Sequence, residues 1–267
     1  MDILNELPAE HFATLDDLLA FISIYDDAHR TRAYLHMLRK AAGWIRDGIC
    51  VDAGAGWGVF SEQMARMGAR RVYCVEPNPH LFQLAKRRLE QYPNVVCVNS
   101  PIEHFTPEEE VDVLVHEFFG QLLYDEDLYA LEQLTFQPRI FLPDKATLAY
   151  GVTSIETVAD ETITPEVFEL FKGALVAGVF DEEGLPLQQE IITWEPDHFE
   201  RQVIVSVRQP GAVLYLGIRI YHQEKIICTS GKCSNWSYVW TPIAGREFKL
   251  QFFSGERGSK VQFQWLR

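Results

Sequence analysis

Several things are scarce in this chain, and each scarcity removes a class of protein. Its five cysteines (Cys50, Cys74, Cys97, Cys228, Cys233) are an odd, scattered set. They form no disulfide framework and no CxxC pair at zinc-ligand spacing, so reduced core thiols, no metal and a cytoplasmic location are expected. No apolar run approaches the ~18–20 residues that span a bilayer. The opening MDILNELPAEHF lacks the basic-then-apolar order of a secretion signal, so no membrane role is expected. Positive charge is short: 24 Lys and Arg against 38 Asp and Glu give a formal net charge of −14. Such a surface repels nucleic acid and suits a cationic substrate. There is no internal repeat and no low-complexity segment, and 267 residues make one or two globular domains.

What is present divides into two patterns. In the first, Leu15 to Lys40 carries apolar residues at helical spacing, enough for one or two helices. "GICVDAG" then reads as a buried strand ending in a glycine loop, and "GVFSEQMARMGA" as a helix closed by Gly68. "RRVYCVEPN", "NVVCVNS" and "VDVLVHEF" read as further strands. "PHLFQLAKRRLEQY", with Pro79 near its start, and "EDLYALEQLTF" read as further helices. Strands alternating with helices imply right-handed crossovers and a parallel sheet covered on both faces. After Phe141-Leu142-Pro143 the pattern changes to short β-branched and aromatic runs, among them "ATLAYGVTSIET", "AVLYLGIRIYH" and "FKLQFF", broken by Gly, Pro and polar clusters. "TPEVFELFKGAL" is a lone helix signal there, with Thr164 as cap and Pro165 in the first turn. The expected fold is therefore α/β, Rossmann-like over residues 1–143, followed over 144–267 by an antiparallel β-barrel-like domain.

The first strand carries the chemistry. "VDAGAGWG" puts Asp52, Gly54, Gly56 and Gly58 at the N-terminus of the following helix, where free N–H groups favour an anionic group. A dinucleotide loop needs G-x-G-x-x-G, and here the third glycine falls one place early. The D-x-G-x-G-x-G spacing suits S-adenosylmethionine, whose amino-acid end lies on the loop. Glu76, at the end of the second strand, is placed to accept both ribose hydroxyls. Ile102 and Glu103, assigned to the end of the third strand, are placed to sandwich adenine and accept its amine. Acids at successive strand ends face the crevice where open parallel sheets bind ligands.

These residues also carry a resemblance. Asp52 to about Leu148 resembles the protein arginine methyltransferase family of class I methyltransferases, through "VDAGAGWG", "VEPN" at Glu76 and Pro77, "IE" at Glu103, "HEFFGQLLYDED" and "FLPDKATL". "DDAHRTRAY" is similar to the family segment whose arginine grips the cofactor carboxylate, which falls on Arg30. "HEFFGQLLYDED" resembles the family's double-glutamate loop, with Glu117 and Glu126 in register and Glu117 also bordering the cofactor. The resemblance implies S-adenosylmethionine as cofactor and arginine in a protein or peptide as substrate. A guanidinium keeps its proton at any working pH and presents a flat fork of donors to carboxylates. Two glutamates on opposite sides would hold that fork and draw its charge away from the nitrogen facing the methyl group. Asp125 and Asp127, flanking Glu126, are expected to be solvated.

The pattern also departs from the family. Its N-terminal tyrosine motif falls on His11 to Leu15 and keeps Phe12. Its Thr-His-Trp loop falls on Ser234-Asn235-Trp236, so Asn235 faces the role of a histidine that pairs with an aspartate, matched here by Asp27. A reshaped pocket for a small amine or guanidine, and a catalytically weak partner subunit, are the alternatives these losses raise. A possible homodimer would use the apolar surplus around Pro165 to Val179 (Val167, Phe168, Leu170, Phe171, Leu175, Val176), since an exposed apolar stretch tends to mark a contact surface.

Overall fold

The computed structural model describes residues 18–19, 21–158, 163–178, 185–255 and 259–266. The chain forms two compact units, one of residues up to Glu117 together with Leu134–Leu142, the other of Phe118–Gln133 together with Pro143 onward. The sequence patterns assign all of 1–143 to one domain, whereas these contacts group Phe118–Gln133 with the later residues.

In the first unit, β1 (Ile49–Ala53), β2 (Arg71–Val75), β3 (Val95–Val98), β4 (Val113–His116) and β5 (Ile140–Leu142) form a sheet in the order β3-β2-β1-β4-β5. Every pairing is parallel. All five residues of β1 and all four of β4 are buried, as expected of central strands covered on both faces. Helical residues 21–26 are followed by α1 (Ala28–Lys40) and the short α2 (Ala42–Ile45). Asp27 separates the first two stretches and caps α1, its carboxylate accepting the Arg30 backbone N–H at 2.9 Å. The crossovers run through α3 (Val59–Arg66) and α4 (Pro79–Leu89), and Gly68 closes the first with φ 87°. Consecutive strands lie to one side of β1 and β4 lies on the other, so the strand order reverses between β1 and β4. That switch point opens a crevice at the C-terminal ends of both strands.

Asn78 starts α4 by accepting from the backbone N–H groups of His80 (2.9 Å) and Leu81 (3.2 Å). Asn78→Ala is expected to cost about 1 kcal/mol of unfolding free energy in a urea titration. The Asn78 backbone N–H given to Glu76 survives that change, so cofactor affinity should stay the same.

The second unit is antiparallel. β6 (Lys145–Thr153), β7 (Val176–Ala177), β8 (Gln189–Trp194), β10 (Val213–His222), β11 (Lys225–Thr229) and β12 (Val239–Pro242) form one sheet, ordered β7-β12-β10-β6-β8 with β11 also on β10. β9 (Gln202–Ser206), β13 (Glu247–Phe253) and β14 (Lys260–Leu266) form a second, ordered β14-β13-β9. The antiparallel second domain is as expected, and its likeness to a barrel stops short of closure: among the described residues the strands make two separate sheets that do not close on themselves. Trp194, Trp240, Tyr150, Tyr215 and Phe248 fill the core at 0% exposure. Aromatics of this size bury enough apolar surface to dominate its stability.

α5 (Pro165–Leu170) begins on Thr164 as expected, whose hydroxyl accepts from Val167 N at 3.4 Å. The apolar surplus of this segment is mostly covered within the unit. Phe168 stacks on Trp240 at 5.8 Å, Phe171 meets the same indole edge-on, and Val176 packs on that cluster. Leu170, 82% exposed, is the large apolar residue of the helix that stays open. Among the described residues no helix is long and apolar enough to cross a membrane.

Candidate active site

The crevice of the first unit is lined by the segments after β1, β2 and β4. After β1 the chain turns through Gly54, Gly56 and Gly58, at φ 65°, 53° and 73°. L-side chains rarely take that left-handed region, so glycine keeps the turn unstrained and bare for a ligand. Gly56 has a second constraint, because a Cβ there would sit 2.6 Å from the Phe21 ring.

Asp52 lies within β1, as the spacing suggests, but it is already engaged. It accepts both the backbone N–H and the hydroxyl of Ser61, each at 2.7 Å, and so satisfies a first-turn donor of α3. Burial pushes its carboxyl up to about 7, against the lowering effect of the Ser61 hydrogen bonds, and the nearby Glu76 charge adds to the rise. A folded-state value above the ordinary one means that the folded protein binds the extra proton. The stability this contributes is full below about pH 4 and is lost as pH rises to about 7, by at most ~1.4 kcal/mol per unit. Asp52→Asn keeps an acceptor for Ser61 and should flatten that pH slope in thermal or urea unfolding; an unchanged slope would assign it to another group.

Glu76 follows β2 and is buried. Its two oxygens accept the backbone N–H groups of Gly56 (2.7 Å) and Asn78 (2.8 Å). Burial raises its carboxyl, and these two hydrogen bonds pull the other way. A carboxylate has about four acceptor sites, so both oxygens retain capacity for hydroxyl donors. Pro77 beside it is exposed, its carbonyl accepting from Asn99 at 3.0 Å. Ile102 is buried and Glu103 half-buried, but they sit on a 3-10 turn (Ile102–His104) beyond β3, not at the strand's end.

Glu117 is the first residue after β4, and it is paired. Arg30, on α1 and 87 positions away, donates from Nη1 to Glu117 Oε2. The arginine side chain is 1% exposed and the glutamate 18%. Burial pushes the Glu117 carboxyl up, while the charge and hydrogen bond of Arg30 pull it down. Burial also works against the Arg30 charge, but the pairing outweighs it and raises the guanidinium above its ordinary value. Arg30 Nε and Trp57 Nε1 are buried with no hydrogen-bond partner. A buried donor left unmade costs roughly 1–3 kcal/mol. Two such donors near a bare glycine loop describe a place for an anionic or oxygen-rich ligand.

Glu126 belongs to the second unit, as do Asn235 and Trp236. It is exposed, on the loop just ahead of a 3-10 turn (Asp127–Gln133). That segment replaces the α-helix read from "EDLYALEQLTF": Leu128, Tyr129 and Leu131 are all buried, and the three-residue period of a 3-10 helix puts Leu128 and Leu131 on one face. The aromatics of the loop are its anchors. Phe119 meets Trp194 edge-on at 5.3 Å, and Tyr124 stacks on Tyr129 at 4.8 Å. The Tyr124 hydroxyl accepts Glu200 N at 3.1 Å, and the Tyr129 hydroxyl donates to Glu200 O. Asp125, expected to be solvated, is half-buried and accepts Leu122 N at 2.7 Å, while Asp127 is exposed. Asp125 packs so close to Gly120 that a Cβ there would lie 2.1 Å from its Oδ1. Leu123, buried at φ 74°, holds a backbone conformation that costs a non-glycine residue roughly 1–3 kcal/mol, a feature that gathers at functional loops.

Trp236 is buried and donates from Nε1 to Phe119 O at 2.7 Å, and so ties its own loop to this one. Asn235 beside it is half-buried. Asp27 lies in the first unit as the cap of α1. His11 to Leu15 lie outside the described residues. Sequence reasoning missed Tyr25, Trp57 and Ser61, which touch the glycine loop or its acid. The tryptophan within "GWG" was the available signal.

A methyltransferase-domain model matches residues 50–134. The chain is 27% identical over 198 residues to protein arginine N-methyltransferase 2 of Dictyostelium discoideum, covering 71% of this chain and 38% of that one. It is 34% identical over 155 residues to probable protein arginine N-methyltransferase 1.2 of Arabidopsis thaliana, covering 55% and 40%. The chain thus spans about two fifths of the length of these curated relatives. Among solved structures, PRMT6 superposes with a TM-score of 0.70 at 14% identity, over 93% of this chain and 99% of that one. The Trypanosoma brucei PRMT1 enzyme-prozyme heterotetrameric complex with AdoHcy gives 0.68 at 15%, over 92% and 98%. The fold is thus the one those structures share, and the methyltransferase-domain match takes in the glycine loop, Glu76, Glu103, Glu117 and Glu126.

Proposed function

We propose, from a chain that carries a methyltransferase domain and shares the fold of the protein arginine methyltransferases, that it transfers methyl groups from S-adenosylmethionine to arginine in proteins or peptides. The observation that carries this reading is the crevice beside β1. A bare glycine loop, the strand-end acid Glu76 and the Arg30–Glu117 pair meet the needs of one cofactor there. When bound, the cofactor supplies a methyl group on a cationic sulfonium. Arg30 presents a buried, unpartnered Nε to its carboxylate, Glu76 receives its ribose hydroxyls, and Ile102 and Glu103 border its adenine.

Glu117 and Glu126 act on the substrate in this proposal, and their assignment rests on the loop sequence. An arginine side chain is always protonated and its nitrogens are poor nucleophiles. Two carboxylates hold the fork still and draw its positive charge towards themselves, which leaves electron density on the nitrogen that attacks. That nitrogen loses a proton once it carries the methyl group. Glu117, whose carboxyl is raised by burial, is the base proposed to take it, on the Oε1 that Arg30 leaves free. The proposal gives Trp236 and Asn235 a role towards the substrate, in which Asn235 can hydrogen-bond but cannot carry a proton away. That residue favours a second reading, methylation of a small amine or guanidine in a reshaped pocket. The thiols, including Cys228 and Cys233 with sulfurs 2.9 Å apart, suit a reducing compartment such as the cytoplasm.

Calorimetry with S-adenosylmethionine, S-adenosylhomocysteine and NAD tests the cofactor half. Heat with the first two and none with NAD is expected. Binding of NAD alone would sink the proposal.

A further inference from the structure

The cofactor site contains a side chain that none of the recognised motifs includes. Tyr25 lies among helical residues 21–26, four positions after Phe21. Its ring stacks on Trp57, with centroids 5.3 Å apart and planes at 29°. Its hydroxyl oxygen accepts the Trp57 backbone N–H at 3.4 Å. A Cβ built on Gly56 would lie 3.1 Å from the same oxygen. The phenol therefore rests on the glycine loop where a ligand would meet it.

Accepting from Trp57 uses a lone pair of the hydroxyl and leaves its proton to give. Among the described residues nothing takes that proton. Burial, and then the nearby Asp52 charge, push the phenol above its ordinary value, and it also feels Arg30 and Glu117. It stays a donor at working pH. The Arg30 guanidinium in turn feels Tyr25 and keeps a buried Nε without a partner. Two donors without acceptors, within range of each other's charge, call for an acceptor with two oxygens. A carboxylate has that chemistry, and it joins charge-assisted hydrogen bonds of the stronger kind.

We propose that Tyr25 is a positioning residue for the cofactor's amino-acid end, its O–H and the Arg30 Nε–H together holding the α-carboxylate above the glycine loop. This rests on the reading of the site given under Proposed function. Between His11 and Leu15 this sequence has no tyrosine, and Tyr25 supplies an aromatic hydroxyl from residues 21–26.

The test compares the full-length protein with Tyr25→Phe by calorimetry, using S-adenosylhomocysteine and decarboxylated S-adenosylmethionine as probes. Phenylalanine keeps the ring on Trp57 and removes one oxygen. The expected result is a loss of affinity of about 10-fold to 100-fold for S-adenosylhomocysteine, with affinity for the decarboxylated probe unchanged. Each variant is compared with itself across two ligands, so a general loss of stability cancels. Equal affinity of Tyr25→Phe and wild type for S-adenosylhomocysteine overturns the proposal. An equal loss for both probes also overturns it, since the ring's placement and not the carboxylate would then be at work. Wild-type protein that binds neither probe fails differently: it removes the cofactor reading itself, and this proposal with it.

Discussion

Glu126→Gln is expected to leave cofactor affinity unchanged and to lower turnover about 10²–10³-fold, the scale of losing one positioned electrostatic group. The change keeps the side chain's shape and one acceptor but removes the charge that an arginine fork would meet. Glu117→Gln should lower turnover by as much, yet it should not be silent towards cofactor. Glu117 neutralises Arg30 in the ligand-free protein, and its loss leaves a buried guanidinium facing a neutral amide. The ligand-free variant should therefore melt lower, and the deficit should shrink when a saturating cofactor brings its own carboxylate to Arg30. Thermal melts with and without S-adenosylhomocysteine, beside initial rates, separate the two variants. A Glu117→Gln protein with wild-type melting and wild-type rate would remove both the pair and the catalytic role.

Arg30→Met carries the second large effect. Methionine keeps much of the buried stem volume and removes the fork. Breaking a buried ion pair by deleting one partner typically costs about 3–5 kcal/mol. Glu117 is 18% exposed and its carboxyl is already raised by burial, so it can take up a proton and hold the cost near the lower end. Losing a charge-assisted contact to the cofactor carboxylate should weaken S-adenosylhomocysteine by roughly 1.5–3 kcal/mol, about 10-fold to 100-fold. With Arg30 gone, the Glu117 carboxyl rises further and residual activity should shift to higher pH. Unchanged affinity, measured by calorimetry, would move the carboxylate contact to another residue.

These effects draw on two kinds of information, one local and one long-range. The glycine loop, the central strands and the Thr164 and Gly68 helix ends were legible because each is set within a few residues, by strand-length apolar runs, by capping chemistry or by a left-handed glycine. The strand-end acids were legible because an ionisable residue in an apolar context is conspicuous. β5 was not: three residues, Ile140–Leu142, read as a change of pattern and not as the sheet's edge. The 3-10 turn at Asp127–Gln133 has apolar residues at positions that an α-helix would also use, and its tight winding follows from which of them are buried. Barrel closure is not written in alternation, which gives each strand two faces but not its neighbours. The Arg30–Glu117 pair spans 87 positions, and Asp125's acceptance of Leu122 N depends on a turn that Gly120 permits.

The central claim is methyl transfer to a guanidinium, and one measurement meets it directly. The full chain is incubated with S-adenosylmethionine labelled in its methyl group and with arginine-containing peptides, then the products are hydrolysed to amino acids and separated. The account predicts label in methylarginine, and about 10²–10³-fold slower labelling with the Glu126→Gln variant. Label in free small amines with none in arginine, or no transfer at all from a protein that binds the cofactor, would contradict it.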